Sequence, residues 1–314
     1  MIDILTIIAP VFGIIALGLG AARTGYLSDT AGQGIADFAF NIAIPALLFR
    51  TVLLARFDGV APLGILAGFF GAAAIVWVLS TLVTAFVLRR PALDAPAIAM
   101  CAVFGNTVML GLPIGIAAFG PEALAPISVI LGIHAPVFLV SATVHSAVVD
   151  GRNGEPLGRA LLGIGGKLVR QPIILAIMIA TVWRAAGVPA PGPVLKMVDM
   201  LAMAGVPAAL VALGMSLRTF VIKGDTATLS AMLVLKLLAM PAIAAGLAGP
   251  VLHLPKVSAE VVVLMAALPA GANAYLFSVK SGRAMNSASG AVALGTALSA
   301  ITLAALILAL KAYA

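Results

Sequence analysis

Apolar residues run along this chain in long unbroken blocks, with polar residues gathered into short punctuation between them. Ten blocks stand out, near 4–22, 33–55, 62–88, 96–119, 122–148, 167–187, 194–217, 227–252, 258–280 and 286–312. A helix of about 20 apolar residues matches the thickness of a bilayer's hydrocarbon core, whereas barrel strands need only about ten residues with alternating polarity. No water is present in that core to pair with bare N–H and C=O groups, so each block is predicted to be a helix. Turn chemistry or charge separates them: Arg23-Thr24-Gly25, Phe57-Asp58-Gly59, Arg89-Arg90-Pro91, Gly120-Pro121-Glu122, the polar run Asp150 to Pro156, Gly187-Val188-Pro189, Lys223-Gly224-Asp225, Leu254-Pro255-Lys256 and Lys280-Ser281-Gly282.

Composition supports the same reading. Of 314 residues, 63% are hydrophobic and 9% charged, against roughly 25% charged in soluble domains; the mean hydropathy is +1.21. A water-soluble fold of this size has nowhere to hide so much apolar surface. The net charge of +7 comes from basic residues in the loops, so it reports topology and not nucleic-acid binding. Eleven of the 18 fall in one set of loops (Arg23, Arg89, Arg90, Arg152, Arg159, Lys167, Arg170, Arg218, Lys223, Lys280, Arg283) and six in the other. The positive-inside rule puts the richer set in the cytoplasm, so both termini are expected in the periplasm of a bacterial inner membrane. Cys101 is the single cysteine, which excludes an intrachain disulfide, and no His/Cys metal cluster appears. The first block lacks the basic leader of a signal peptide and reads as a retained span.

The two halves match at a fixed offset of 162: Pro10 with Pro172, Gly25 with Gly187, Asp37 with Asp199, Pro45 with Pro207. This predicts a first repeat over 1–149, a cytoplasmic linker over 150–166 and a second repeat over 167–314. Five spans return the chain to the opposite side, so the second repeat runs upside down relative to the first. That arrangement is found in many secondary transporters, with the substrate between the repeats at mid-membrane.

Spans four and nine occupy corresponding positions. They read GNTVMLGLPIG over 105–115 and LPAGANAYLFS over 268–278. Proline and glycine weaken a helix and free backbone groups. Such groups persist at mid-membrane only where protein or a water-filled cavity satisfies them. Half-helix N-termini then offer partial positive charge to an anion, and Asn106, Thr107 and Asn273 add side-chain donors and acceptors. One such helix would read as a kinked packing helix; two in matching positions point to a transport site. Pro113 follows Asn106 by seven residues while Pro269 precedes Asn273 by four, so the register of the halves shifts here.

On FNIAIPALLFRTV (40–52), the NTVMLGLP core of span four and ALPAGANAYLF of span nine, the chain resembles the auxin efflux carrier family, which includes plant PIN-formed auxin exporters and bacterial malonate-type carriers. The resemblance implies an all-α polytopic fold like that of bile acid/sodium symporters, with a scaffold domain, a mobile transport domain and broken helices four and nine crossing at their prolines. It implies organic anions as substrates, moved by an elevator-like motion, and a homodimer. By motif position the crossing involves Pro113 and Pro269, with Asn106, Thr107, Asn273 and Tyr275 as substrate contacts. The short 150–166 linker departs from the long central loop of the large plant exporters and from their phosphorylation control.

Several polar residues inside or beside spans carry two readings. Lys236 lies about ten residues into span eight, where a charge costs roughly 2.5–3.5 kcal/mol on insertion scales; it is either a counter-charge or coupling group, or a side chain snorkelling to the interface. Asp37 and Asp199 fall near span starts and read as stabilisers of helix N-termini or as coupling carboxylates. His134 reads as a proton relay or a packing residue, His145 and the Met197, Met200, Met203 stripe as packing, and Glu260 as a cap. The leading function is a secondary transporter of a malonate-like or auxin-like anion, coupled to protons or sodium or driven by the membrane potential, with no cofactor and no catalytic residues. An intramembrane enzyme would need a cluster of carboxylates or His/Asp on one cavity, and a passive anion channel would favour rings of charged residues. No GxxxxGK[ST] motif suggests an ATP-driven pump.

Overall fold

The computed structural model describes residues 2–54, 61–150, 158, 162–163, 166, 170–220 and 225–312. Expectations about Arg56, Asp58, Arg152, Arg159, Lys167, Lys223 and most of the 150–166 linker lie outside these residues. Every described element is helical: α1 Ile2–Arg23, α2 Asp29–Leu54, α3 Pro62–Val87, α4 Ala92–Val103, α5 Thr107–Phe119, α6 Pro121–Asp150, α7 Pro172–Ala185, α8 Gly192–Thr219, α9 Thr226–Val251, α10 Lys256–Ala267, α11 Ala272–Ser281 and α12 Met285–Ala312. Among the described residues, seven of these are long and apolar enough to cross a membrane by length and composition. The expected spans four and nine are each divided, into α4 with α5 and α10 with α11, so neither piece reaches that length alone. Large apolar side chains such as Leu63, Phe86 and Ile301 stand exposed, which only a lipid environment tolerates in such number. The protein is a multi-pass membrane protein.

Three helices absorb prolines by the same device. A π-helical turn ends two residues before Pro45 in α2, before Pro113 in α5 and before Pro241 in α9. A proline lacks its N–H and its ring crowds the carbonyl four residues earlier. In each case that carbonyl, on Asn41, Met109 or Leu237, lies within the π-turn, whose wider winding relieves the crowding. The helix therefore continues through the proline.

The chain divides into two compact units, each drawing on both halves of the sequence: 1–60, 108–132 and 166–219 form unit 1, and 61–107, 133–165 and 220–314 form unit 2. Unit 1 is built on α8, which packs against α1 and α2. Glycines let the backbones touch. A Cβ at Gly18 would overlap the Val211 carbonyl oxygen, and one at Gly214 would overlap the Ile15 carbonyl oxygen. Close approach through small residues is the usual way membrane helices gain packing energy. Arg218 ties one end of the unit, donating to Asp29 Oδ1 at 3.0 Å and to the Ala22 carbonyl at 3.2 Å. Elsewhere in the unit Arg50 pairs with Asp199 and Arg184 donates to the Val52 carbonyl at 3.3 Å.

The structure corrects one reading of the two aspartates, that they stabilise helix N-termini. The second helix begins at Asp29, with Ser28 Oγ accepting from the Ala31 N–H at 3.1 Å. Asp37 thus lies near the end of that first α-helical segment, exposed, and caps nothing. Asp199 lies two turns into α8 and balances Arg50. Met197, Met200 and Met203 face outward, Met203 at 79% exposure, so the stripe does not pack inside the described chain.

Replacing Gly214 with alanine forces a methyl group into the α1 backbone. Thermal melting of the purified protein should fall by several degrees, since overpacking costs roughly 1–3 kcal/mol. Gly13→Ala, whose Cβ meets no atom within 4 Å, should melt like the parent.

Candidate functional site

Unit 2 brings the two interruptions together. α4 ends at Val103, and Phe104 takes an extended backbone at φ −74°, ψ 97°. α10 ends at Ala267, and Leu268 is extended at φ −64°, ψ 146°, as expected for a residue forced away from helix by the following Pro269. Gly105 and Ala270 then form an isolated antiparallel bridge. The Asn106 N–H donates to the Pro269 carbonyl at 2.8 Å, and the Gly271 N–H donates to the Phe104 carbonyl at 2.9 Å. Each broken helix thus satisfies backbone groups freed by the other. Only small residues fit: a Cβ at Gly271 would sit 3.1 Å from the Gly105 carbonyl oxygen.

Around this junction lie most of the residues expected from the sequence. Asn106, Thr107 and Pro269 are buried in it. Asn273 occupies the first turn of α11 and is exposed, and Tyr275 is half-buried with its ring edge-on to Phe220 at 5.2 Å. The N-terminus of α11 starts at the junction, so its free amides and the Asn273 side chain share one neighbourhood. Pro113 behaves differently. The π-turn over Thr107–Gly111 carries α5 through Pro113, and the interruption falls at Gly105 instead. The expected crossing at two prolines becomes a glycine–alanine bridge with one proline beside it.

Lys236 is 1% exposed. It projects from the π-turn Leu235–Ala239 of α9, and its Nζ donates to the Ala266 carbonyl at 2.9 Å and to Met240 Sδ at 3.0 Å. A methyl group at Gly105 would come 3.4 Å from this nitrogen. The side chain therefore reaches inward to the junction and does not snorkel. His134 is also buried, its ring packed edge-on against Phe104 at 4.4 Å and Phe138 at 5.0 Å and tilted against Phe69 at 5.8 Å; among the described residues its Nε2 finds no hydrogen-bond partner. His145 accepts from Trp77 Nε1 at 3.1 Å, a packing role. Glu260 sits in the second turn of α10, past any capping position. Among the described residues no group of three or more His, Cys, Asp or Glu converges as a metal site.

Sequence reasoning missed an ionic cluster in unit 2. Buried Asp94 receives Arg90 Nε at 2.9 Å and Arg283 Nη1 at 3.5 Å. Arg90 Nη1 also approaches Asp225 Oδ2 at 3.6 Å. Asp225 caps α9, accepting from the Ala227 and Thr228 N–H groups and, at 2.5 Å, from the Thr228 hydroxyl. The cluster clamps the ends of α3, α4, α9 and α11 together. The one signal available was topological: these charges all flank loops assigned to the same side.

The family model described as "Membrane transport protein" matches the chain over residues 3–152 and 161–307. The chain is similar to a protein of Rhizobium meliloti (strain 1021) described as "Putative malonate transporter", 25% identical over 313 residues that cover 98% of this chain and 96% of that one. It is also similar to a protein of Methanothermobacter thermautotrophicus (strain Delta H) described as "Uncharacterized transporter", 22% identical over 293 residues that cover 92% and 93% of the two chains.

The Thr228 hydroxyl, the Ala227 and Thr228 amides and Arg90 hold the Asp225 carboxyl below its ordinary value of 3.8. A lowered folded-state value means that the unfolded chain binds the proton first as pH falls. The stabilisation is therefore complete above the ordinary carboxylate range and drains away as pH drops from 3.8 through the lower folded value. Asp225→Asn keeps the cap but not the charge. Melting curves of this variant should show a smaller acid-side loss than those of the parent, and parallel curves would remove Asp225 from the account.

Proposed function

Because this chain belongs to the membrane transport protein family, which takes in the auxin efflux carriers it resembles, we propose that it is a secondary transporter of small organic anions such as malonate-like dicarboxylates. The observation that carries the reading is the hydrogen-bonded junction of two interrupted helices. A transporter needs a polar site within an apolar protein, and paired breaks supply one while satisfying part of each other's freed backbone groups. The substrate carboxylate is held at the start of α11, where unpaired amides carry partial positive charge. Asn273 and Tyr275 contribute side-chain donors, and Asn106 and Thr107 line the break from the other chain segment. The relatives' transporter names favour this reading over an intramembrane enzyme or a passive channel.

The finer architecture follows from the same reading. We take the chain as ten spans in two inverted repeats, 1–149 and 167–314, with both termini periplasmic. Backbone positions with positive φ support the repeat: Gly25 and Gly187, Gly120 and Gly282, each 162 apart, and Arg89 and His253, 164 apart. The ionic cluster joins Arg90, Asp225 and Arg283, residues beside three loops that ten spans put on one side. Unit 2, which carries the junction, is the body that travels in an elevator-like cycle, with unit 1 as the scaffold and the site of homodimer contact.

Purified protein in liposomes should show saturable uptake of labelled malonate or a related small carboxylate. Asn273→Ala should reduce it by about tenfold or more, the worth of a hydrogen bond to a charged group. Absence of saturable flux across a broad panel of carboxylates would overturn the proposal.

A further inference from the structure

Helices α4 and α10 both reach the junction with their carboxyl ends, so the negative poles of two helix dipoles converge there. Their last carbonyls have lost the amide partners that a continuous helix would supply. In secondary transporters such unwound carbonyls and half-helix carboxyl ends are the groups that bind a sodium ion. Here a side chain occupies that place. The Lys236 ammonium donates to the Ala266 carbonyl in the last turn of α10 at 2.9 Å. It also stands within 3.4 Å of a methyl position at Gly105, just beyond the end of α4. Its second hydrogen-bond partner is the Met240 thioether at 3.0 Å. Among the described residues no carboxylate forms an ion pair with it, so its charge is balanced by main-chain dipoles.

We propose that the Lys236 ammonium is a built-in cation that caps the converging carboxyl ends of α4 and α10 in place of a coupling sodium ion, so that the junction stays assembled without sodium. The geometry explains how a charge survives at 1% exposure: the Ala266 carbonyl, the Met240 thioether and the negative helix poles replace part of the water it has lost. The π-turn in α9 serves this end, because it sets Lys236 on the face that packs against α4 and α10. The driving force for the anion then comes from a source other than a sodium ion at this junction. The link to transport rests on the function proposed above; the binding chemistry does not.

The test compares melting of the purified full-length protein in sodium chloride and in N-methylglucamine chloride at equal ionic strength. The wild-type melting temperature should be the same in both. Lys236→Ala opens a cation-sized space; it should melt several degrees lower in N-methylglucamine and recover part of that loss with sodium or methylammonium. Lys236→Met fills the space with an uncharged stem; it should melt lower and recover with neither ion. A saturable sodium-dependent rise in the wild type overturns the proposal, as does a Lys236→Met protein as stable as its parent. If Lys236→Ala does not fold, the wild-type and Lys236→Met results decide. Liposome uptake separates the two claims. Equal flux with either cation supports both, sodium-dependent flux overturns the built-in cation, and no flux of any anion overturns the transport reading while the melting comparison still stands.

Discussion

Two main-chain hydrogen bonds, from Asn106 N–H to the Pro269 carbonyl and from Gly271 N–H to the Phe104 carbonyl, solve the problem on which the rest of unit 2 depends. A helix interrupted within a bilayer exposes amides and carbonyls that lipid cannot satisfy, at several kcal/mol for each group. Two interruptions placed side by side satisfy part of one another. The demand fixes the local residues. Gly271 leaves room for the backbones to meet, and Pro269 sets the extended residue before it. What the bridge leaves over is a set of carbonyls at the carboxyl ends of α4 and α10, and Lys236 answers them.

The two units rely on different forces. In unit 1, α1 and α8 touch backbone to backbone at Gly18 and Gly214, and ion pairs tie the helix ends. Most of its helices are uninterrupted, with π-turns in α2 and α5 that admit Pro45 and Pro113, so dispersion over closely packed surfaces carries most of its packing. In unit 2 the interrupted helices bring polar groups into the interior. Stability then requires a matched set of partners: the bridge, the buried lysine, and the cluster of Arg90, Asp94, Asp225 and Arg283 that clamps four helix ends. A unit held by such a network is suited to keep its shape as a body. Each unit draws on both halves of the chain, so the compact bodies do not follow the order of the sequence.

Much of this was legible in the chain itself. Block length and the scarcity of charge specified membrane-spanning helices, because bilayer thickness and backbone pairing leave few other solutions. The Pro-Gly-Asn stretches in spans four and nine marked both interruptions, since these residue types act on the backbone locally. Their exact centre was less legible. Pro113 looked like a break, yet a π-turn accommodates its missing donor and the helix continues. Asp37 and Asp199 looked alike at their fixed offset, yet one is exposed and the other pairs with Arg50, 149 positions away.

Local chemistry therefore determined where the chain must be helical and near where two of its helices must break. Tertiary structure alone decided what meets at the breaks. Whether Lys236 snorkels or turns inward, and which carboxylates the loop arginines find, depends on helices dozens to hundreds of residues apart in the chain. Those pairings follow from mutual satisfaction of polar groups in a medium that offers no water, a condition on pairs that no single segment can express.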